Sequence, residues 1–320
     1  MNERKNLKKI YIAAALLLCV GAVFAYKAYG VYNVVRTQLD IIEENTRNNG
    51  YGNDNVLTNI YNLQSKAGAN VELYGFDYSW LEGKNFISHA FGEIEGAAMT
   101  NSLDALENAY AAGLRVFEAD MQLVDGKVLI MHDYDTFCNQ SGLRADELDY
   151  ESCMAAKLFG KYTVMDIDML VSFLSEHPDA YLVTDSKYTS NPRCAYVISA
   201  LAIAAQDCDE SVLDRVIIQI YNQQMLSTVM DIYPFKSVIY TLYSSKDSNE
   251  EAINFCIRTG IGAITAHHSR MTEDFCAKLN AVGIKPLVHT VNDPQEISRF
   301  FDMGVAAIYT DNTEPELLKR

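Results

Sequence analysis

The chain has 320 residues, 49% of them apolar, and a formal net charge of −16. That apolar share is enough for one large α/β core. The excess of acid excludes a nucleic-acid partner, because phosphate backbones are gripped by clustered Lys and Arg; it leaves open a phosphate ester at a metal site, where an ion supplies the positive charge.

Residues 1–9 form a basic tail with Arg4, Lys5, Lys8 and Lys9, followed by an unbroken apolar run from Ile10 to Tyr26. This pattern predicts a single-pass membrane anchor over 10–32, with the N-terminus cytoplasmic and the bulk of the chain outside the cell membrane. A cleaved signal peptide ending near Val23-Phe24-Ala25 is the competing reading. Apolar residues continue after Lys27, which favours the anchor. Residues 33–83 read as a helical stalk and linker: Val34, Val35, Leu39 and Ile42, then Val56, Ile60 and Leu63, recur at helical spacing around the breaker "NNGYGNDN". Trp80, the only tryptophan, reads as a packing residue.

From residue 84 the chain alternates strand-like and helix-like segments. The strands "FISHAF", "VFEADM", "YLVTDS", "VIIQIY", "SVIYTLY", "GAITAHH", "PLVHTV" and "AAIYTD" are separated by amphipathic stretches, several ending in Gly. That order predicts a (β/α)8 TIM barrel over 84–320. An additional strand, "VLIMHD", follows Asp125-Gly126 so closely that it must fold back as a hairpin, a small excursion after the second barrel strand. Of the seven cysteines, one lies in the predicted anchor and the rest show no Cys-x-x-Cys spacing. They read as small buried hydrophobes, with one or two bridges open to an extracytoplasmic domain.

Active sites of such barrels lie at the C-terminal ends of the strands. Glu118 and Asp120 are two apart on the second strand, so both point to one face. Asp185 ends the third. Three carboxylates from two strands suit a hard divalent cation, Ca2+ or Mg2+. His89 and His132, from different strands, read as an acid–base pair beside that ion. Lys187, Gln219, His267 and His289, also near strand ends, read as substrate- and phosphate-binding residues.

Taken together, "SHAFGE", "TNSLDALENAYAAG", "FEADMQLVDGK", "LIMHD", "TDSK", "IIQIY", "HTVND" and "IYTDNTEPELL" resemble, in order and spacing, the motifs of the glycerophosphodiester phosphodiesterases, relatives of the phosphatidylinositol-specific phospholipases C. The resemblance spans about Phe86 to Leu318. It implies metal-dependent cleavage of glycerophosphodiesters, either deacylated phospholipids or glycerophosphate groups on cell-surface polymers. It gives His89 and His132 the proton transfers, Glu118, Asp120 and Asp185 the cation, and Lys187 a phosphate contact. The chain departs from the family pattern at four places: Ala90 replaces an Arg, Thr100 a Glu, Asp185 a Glu and His289 a Trp. Arg270 and Lys187 are the cations that could stand in for the missing guanidinium. Two other readings are a non-catalytic barrel that binds surface glycans or lipid headgroups, and a phospholipase-like lyase that forms a cyclic phosphate. The oligomeric state is open.

Overall fold

The structure, a computed structural model, describes residues 74–314. The expected basic tail, membrane anchor and nearly all of the stalk lie outside these residues. Among the described residues no helix is long and apolar enough to cross a membrane.

Eight parallel strands close into a barrel. In chain order they are β1 (Phe86–Ser88), β2 (Val116–Val124), β6 (Tyr181–Asp185), β7 (Val216–Ile220), β8 (Ser237–Thr241), β9 (Ala263–His267), β10 (Lys285–His289) and β11 (Ala307–Thr310). β1 pairs with β11 through Phe86↔Ile308 and with β2 through Ser88↔Phe117, which completes the ring. Each expected strand is present. Helices α1 (Leu103–Ala111), α4 (Ile167–Glu176), α5 (Asn191–Cys208), α6 (Gln224–Ile232), α7 (Asn249–Thr259), α8 (Glu273–Ala281) and α9 (Pro294–Asp302) lead from one barrel strand to the next.

The period of two along each strand divides the residues into two cores. Outward-facing Phe117, Leu182, Ile218, Val238, Ile264, Val288 and Ile308 are buried beneath the helices. Inward-facing Ile87, Val116, Val183, Ile217, Ile239, Ala263, Leu287 and Ala307 fill the lower barrel. One step of two further along each strand, apolar residues give way to Glu118, Asp185, Gln219, Thr241, Thr265 and Tyr309. The polar layer is thus the next inward-facing layer above an apolar floor.

Residues 74–83, read from sequence as the end of the linker, seal that floor. Tyr74 N–H donates to Thr259 O and Asp77 N–H to Lys236 O. Trp80 is 3% exposed, packs on the inner core and donates from Nε1 to Ser237 Oγ at 2.8 Å. Tyr78 donates to Val238 O and accepts from Gly262 N–H. A side chain at position 262 would stand 2.6 Å from the Tyr78 ring, so this close approach needs glycine.

The Asp125-Gly126 turn joins β2 to the antiparallel β3 (Lys127–Ile130). Both turn residues have positive φ, 49° and 76°, as a tight two-residue hairpin requires. The excursion is larger than the small hairpin expected. It adds α2 (Tyr134–Ser141), α3 (Tyr150–Ala155) and a second sheet of β4 (Lys157–Leu158) and β5 (Tyr162–Thr163). These elements share a core of Leu129, Met131, Phe137, Cys153, Leu158 and Val164. They are too short for apolar periodicity to show in the sequence. All the cysteines of the described region are free, and Cys153, Cys194, Cys256 and Cys276 are buried.

Candidate active site

At the C-terminal mouth of the barrel, His89, Glu118, His132, Asp185, Lys187, Gln219, His267 and His289 line one cavity of about 330 Å3. Glu118, Asp120 and Asp185 each bring a carboxylate oxygen within 4.8 Å of the others. Strand register explains the convergence: Asp120 and Asp185 are direct partners across β2 and β6, and Glu118 lies two residues before Asp120 on the same face.

Each carboxylate is held from behind. Ala90 N–H donates to Glu118 Oε2 at 2.9 Å. Asn101 Nδ2 donates to Asp120 Oδ2 at 2.7 Å, and Asn101 Oδ1 accepts from Asp120 N–H. Lys187 Nζ lies 2.5 Å from Asp120 Oδ1 and 2.6 Å from Asp185 Oδ2. Burial, then the charge of Asp120, pushes the Glu118 pKa well above the usual carboxylate range. Burial also raises Asp185, against the pull of Lys187. Asp120 moves the other way: burial opposes its ionisation, but the Lys187 ammonium holds its pKa down. One ammonium against three carboxylates leaves the cluster short of positive charge. A set of hard oxygen donors with that deficit fits a divalent cation such as Ca2+ or Mg2+.

The two histidines are built alike. His89 Nδ1 donates to Asp311 Oδ1 at 2.8 Å, and Asp311 is fixed in turn by Asn292, which donates to Oδ2 at 2.6 Å and accepts from its N–H. His132 Nδ1 donates to Asp133 Oδ2 at 2.5 Å. Asp133 is the N-cap of α2 and accepts from Thr136 N–H at 2.7 Å, so the unforeseen helix positions one of the two imidazoles. A carboxylate on Nδ1 places the proton there and leaves Nε2 free for a substrate. Burial works against charge on His89, but the Asp311 hydrogen bond and the nearby Glu118, Asp311 and Asp120 outweigh it and raise its pKa to about 9. Past His89 the backbone enters the left-handed region at Ala90, Phe91 and Gly92, which brings the Ala90 N–H onto Glu118.

The remaining expected residues divide. Gln219 has both ends of its amide bonded within the protein, to Thr184 O and Tyr309 Oη. His267 bonds Ser269, and His289 Nδ1 lies 3.1 Å from Thr265 Oγ1. Arg270 does not replace the guanidinium absent at Ala90: its donors go to Asn249, Leu242 O and Asp247 O, and it does not line the cavity. Lys187 does line it. Asn101 and Asp311 were assigned no role from sequence, although both fall inside the quoted motifs.

The fold resembles several solved structures. One from Silicibacter pomeroyi, described as a putative glycerophosphoryl diester phosphodiesterase, matches with a TM-score of 0.60 at 18% identity over 76% of this chain and 97% of that one. A glycerophosphodiester phosphodiesterase from Parabacteroides distasonis matches at 0.59 and 19% identity over 73% and 96% of the two chains. A phosphodiesterase from Oleispira antarctica, in complex with the product sn-glycerol-3-phosphate, matches at 0.59 and 16% identity over 73% and 94%. The model of the glycerophosphoryl diester phosphodiesterase family matches residues 92–315, which takes in the carboxylates, His132 and Asp311 and begins just after His89. With more than half of its length inside that match, the chain belongs to the glycerophosphoryl diester phosphodiesterase family and to its enzyme class, the phosphoric diester hydrolases.

Proposed function

We propose that the protein hydrolyses glycerophosphodiesters with a divalent cation held by Glu118, Asp120 and Asp185, using His89 as general base and His132 as general acid. The observation that carries this reading is the convergence of two carboxylate-oriented imidazoles with Glu118 and Asp185 on one cavity, with Asp120 buried beside those two carboxylates, its oxygen within 4.8 Å of theirs. When bound, the cation supplies positive charge to the non-bridging phosphate oxygens.

In the metal-free protein Glu118 and Asp120 help to keep His89 charged. With those carboxylates neutralised by a cation, His89 Nε2 is free to take a proton from the attacking water, and Asp311 stabilises the imidazolium that results. His132 Nε2 gives a proton to the departing alkoxide, its orientation fixed by Asp133. The two histidines exchange their protons with solvent between turnovers. Lys187, paired with Asp120 and Asp185 on the cavity wall, turns its ammonium to the phosphate as a point charge once a cation takes over those carboxylates.

The substrate class is a deacylated phospholipid or a glycerophosphate group on a surface polymer. The product in the Oleispira antarctica complex, sn-glycerol-3-phosphate, supports the glycerophosphodiester part of this reading. The basic tail before the apolar run Ile10 to Tyr26 supports a membrane-attached, outward-facing enzyme. Cell fractionation with protease protection tests that placement: digestion of the domain in intact cells is expected, and its protection would refute it.

The activity is tested with glycerophosphoglycerol, Mg2+ or Ca2+, an EDTA control and 31P NMR of the products. Release of glycerol 3-phosphate, abolished by EDTA, is expected. A cyclic phosphate as final product would replace hydrolysis by lyase chemistry, and metal-independent turnover would remove the cation from the reading.

A further inference from the structure

The cavity has two unlike sides. The side built by β1, β2, β3 and β6 carries its charges, among them Glu118, Asp185 and Lys187. The arc from β7 to β10 presents Tyr221, Thr241, Tyr243, His267, His268 and His289, and no carboxylate, lysine or arginine. Two polar atoms on this arc are buried without a hydrogen-bond partner among the described residues: Tyr221 Oη and His289 Nε2. Tyr221 is only 5% exposed, and its ring packs in the main core. His289 is kept neutral by burial, aided by His267, with its pKa lowered to about 3. A buried polar atom without a partner is costly, and a ligand that completes its hydrogen bond removes that cost.

We propose that Tyr221 and His289 form a specificity subsite for the hydroxyls of an uncharged polyol group of the diester, such as its glycerol. This deepens the hydrolase reading and rests on it. A polyol hydroxyl can both donate and accept, so it completes either atom whatever the rotor or tautomer. A quaternary ammonium group does neither. Placed on this arc it would leave both atoms unpaired and find no carboxylate there. Sites built to bond a hydroxyl discriminate strongly against ligands that lack it.

The test compares Tyr221→Phe with wild type on glycerophosphoglycerol and on bis(p-nitrophenyl) phosphate, which has no hydroxyl, and adds His289→Phe on glycerophosphoglycerol alone. Tyr221→Phe removes a single oxygen, and a thermal melt verifies that each variant is folded. The expected result is a roughly tenfold lower kcat/KM on glycerophosphoglycerol, with a change of less than about twofold for Tyr221→Phe on the hydroxyl-free diester. Equal losses on both substrates, or no loss on either, overturn the subsite. If wild type turns over neither diester, the hydrolase reading fails by itself. Calorimetry with sn-glycerol 3-phosphate and ethyl phosphate then decides the subsite: weaker binding of the glycerol compound alone in Tyr221→Phe supports it, and unchanged binding overturns it.

Discussion

His89 and Asp311 lie 222 positions apart and meet at 2.8 Å where the first and last barrel strands close the ring. Barrel closure and the orientation of one imidazole therefore depend on the same seam. Asp311→Asn keeps the shape but removes the acceptor that holds the proton on Nδ1. We expect kcat to fall by about 100-fold or more with KM little changed. The same pair gives a pH signature in metal-free protein. The His89 pKa is raised from 6.5 to about 9 against burial by Asp311 and the neighbouring carboxylates, so its stabilising charge is fully present below about pH 6.5 and is lost as pH rises through about 9. In EDTA, the gap in melting temperature between wild type and Asp311→Asn should be widest near pH 6 and narrow toward pH 9. A gap that widens with pH would contradict the pairing.

His132 and His89 are distinguishable by leaving group. An acid is needed for a glycerol alkoxide and hardly at all for p-nitrophenolate. His132→Ala should lose about 10²–10⁴-fold on glycerophosphoglycerol and far less on bis(p-nitrophenyl) phosphate, whereas His89→Ala should lose on both. The opposite pattern would exchange the two roles.

Glu118 is strained by its own ionisation. Burial and Asp120 raise its pKa, so in the absence of a cation its charged form opposes folding at neutral pH. Glu118→Gln should melt at a higher temperature than wild type in EDTA, lose the stabilisation that Mg2+ or Ca2+ gives wild type, and lose turnover. Lower stability in EDTA would mean that the carboxylate is already neutralised by the protein itself.

Trp80 closes the floor far from the chemistry. Trp80→Ala should cost about 3–5 kcal/mol in denaturant unfolding while KM stays near wild type, because the cavity lies across the apolar layer from it.

The barrel was legible because each strand is a short β-branched run bounded by turns, and the Asp-Gly dipeptide announced its hairpin. The helices of the excursion were not, since Tyr134–Ser141 and Tyr150–Ala155 are too short for periodicity and are started by single Asp caps. In the site, the period of two announced Glu118 with Asp120. What no local pattern contains is a pairing set by closure of the ring, such as Asp311 with His89, or a grip from a preceding loop, such as Asn101 on Asp120. Arg270 misled for the same reason: its position near a strand end said nothing of the backbone carbonyls that occupy it.

The segment from Tyr74 to Leu81 runs beneath the barrel, with Tyr78 and Trp80 inserted from below. Tyr74 therefore lies at the pole opposite the mouth lined by His89 and His132. A fusion partner or solid support joined at that pole leaves diesters free to approach, whereas cargo joined after Asp311 would crowd the entrance.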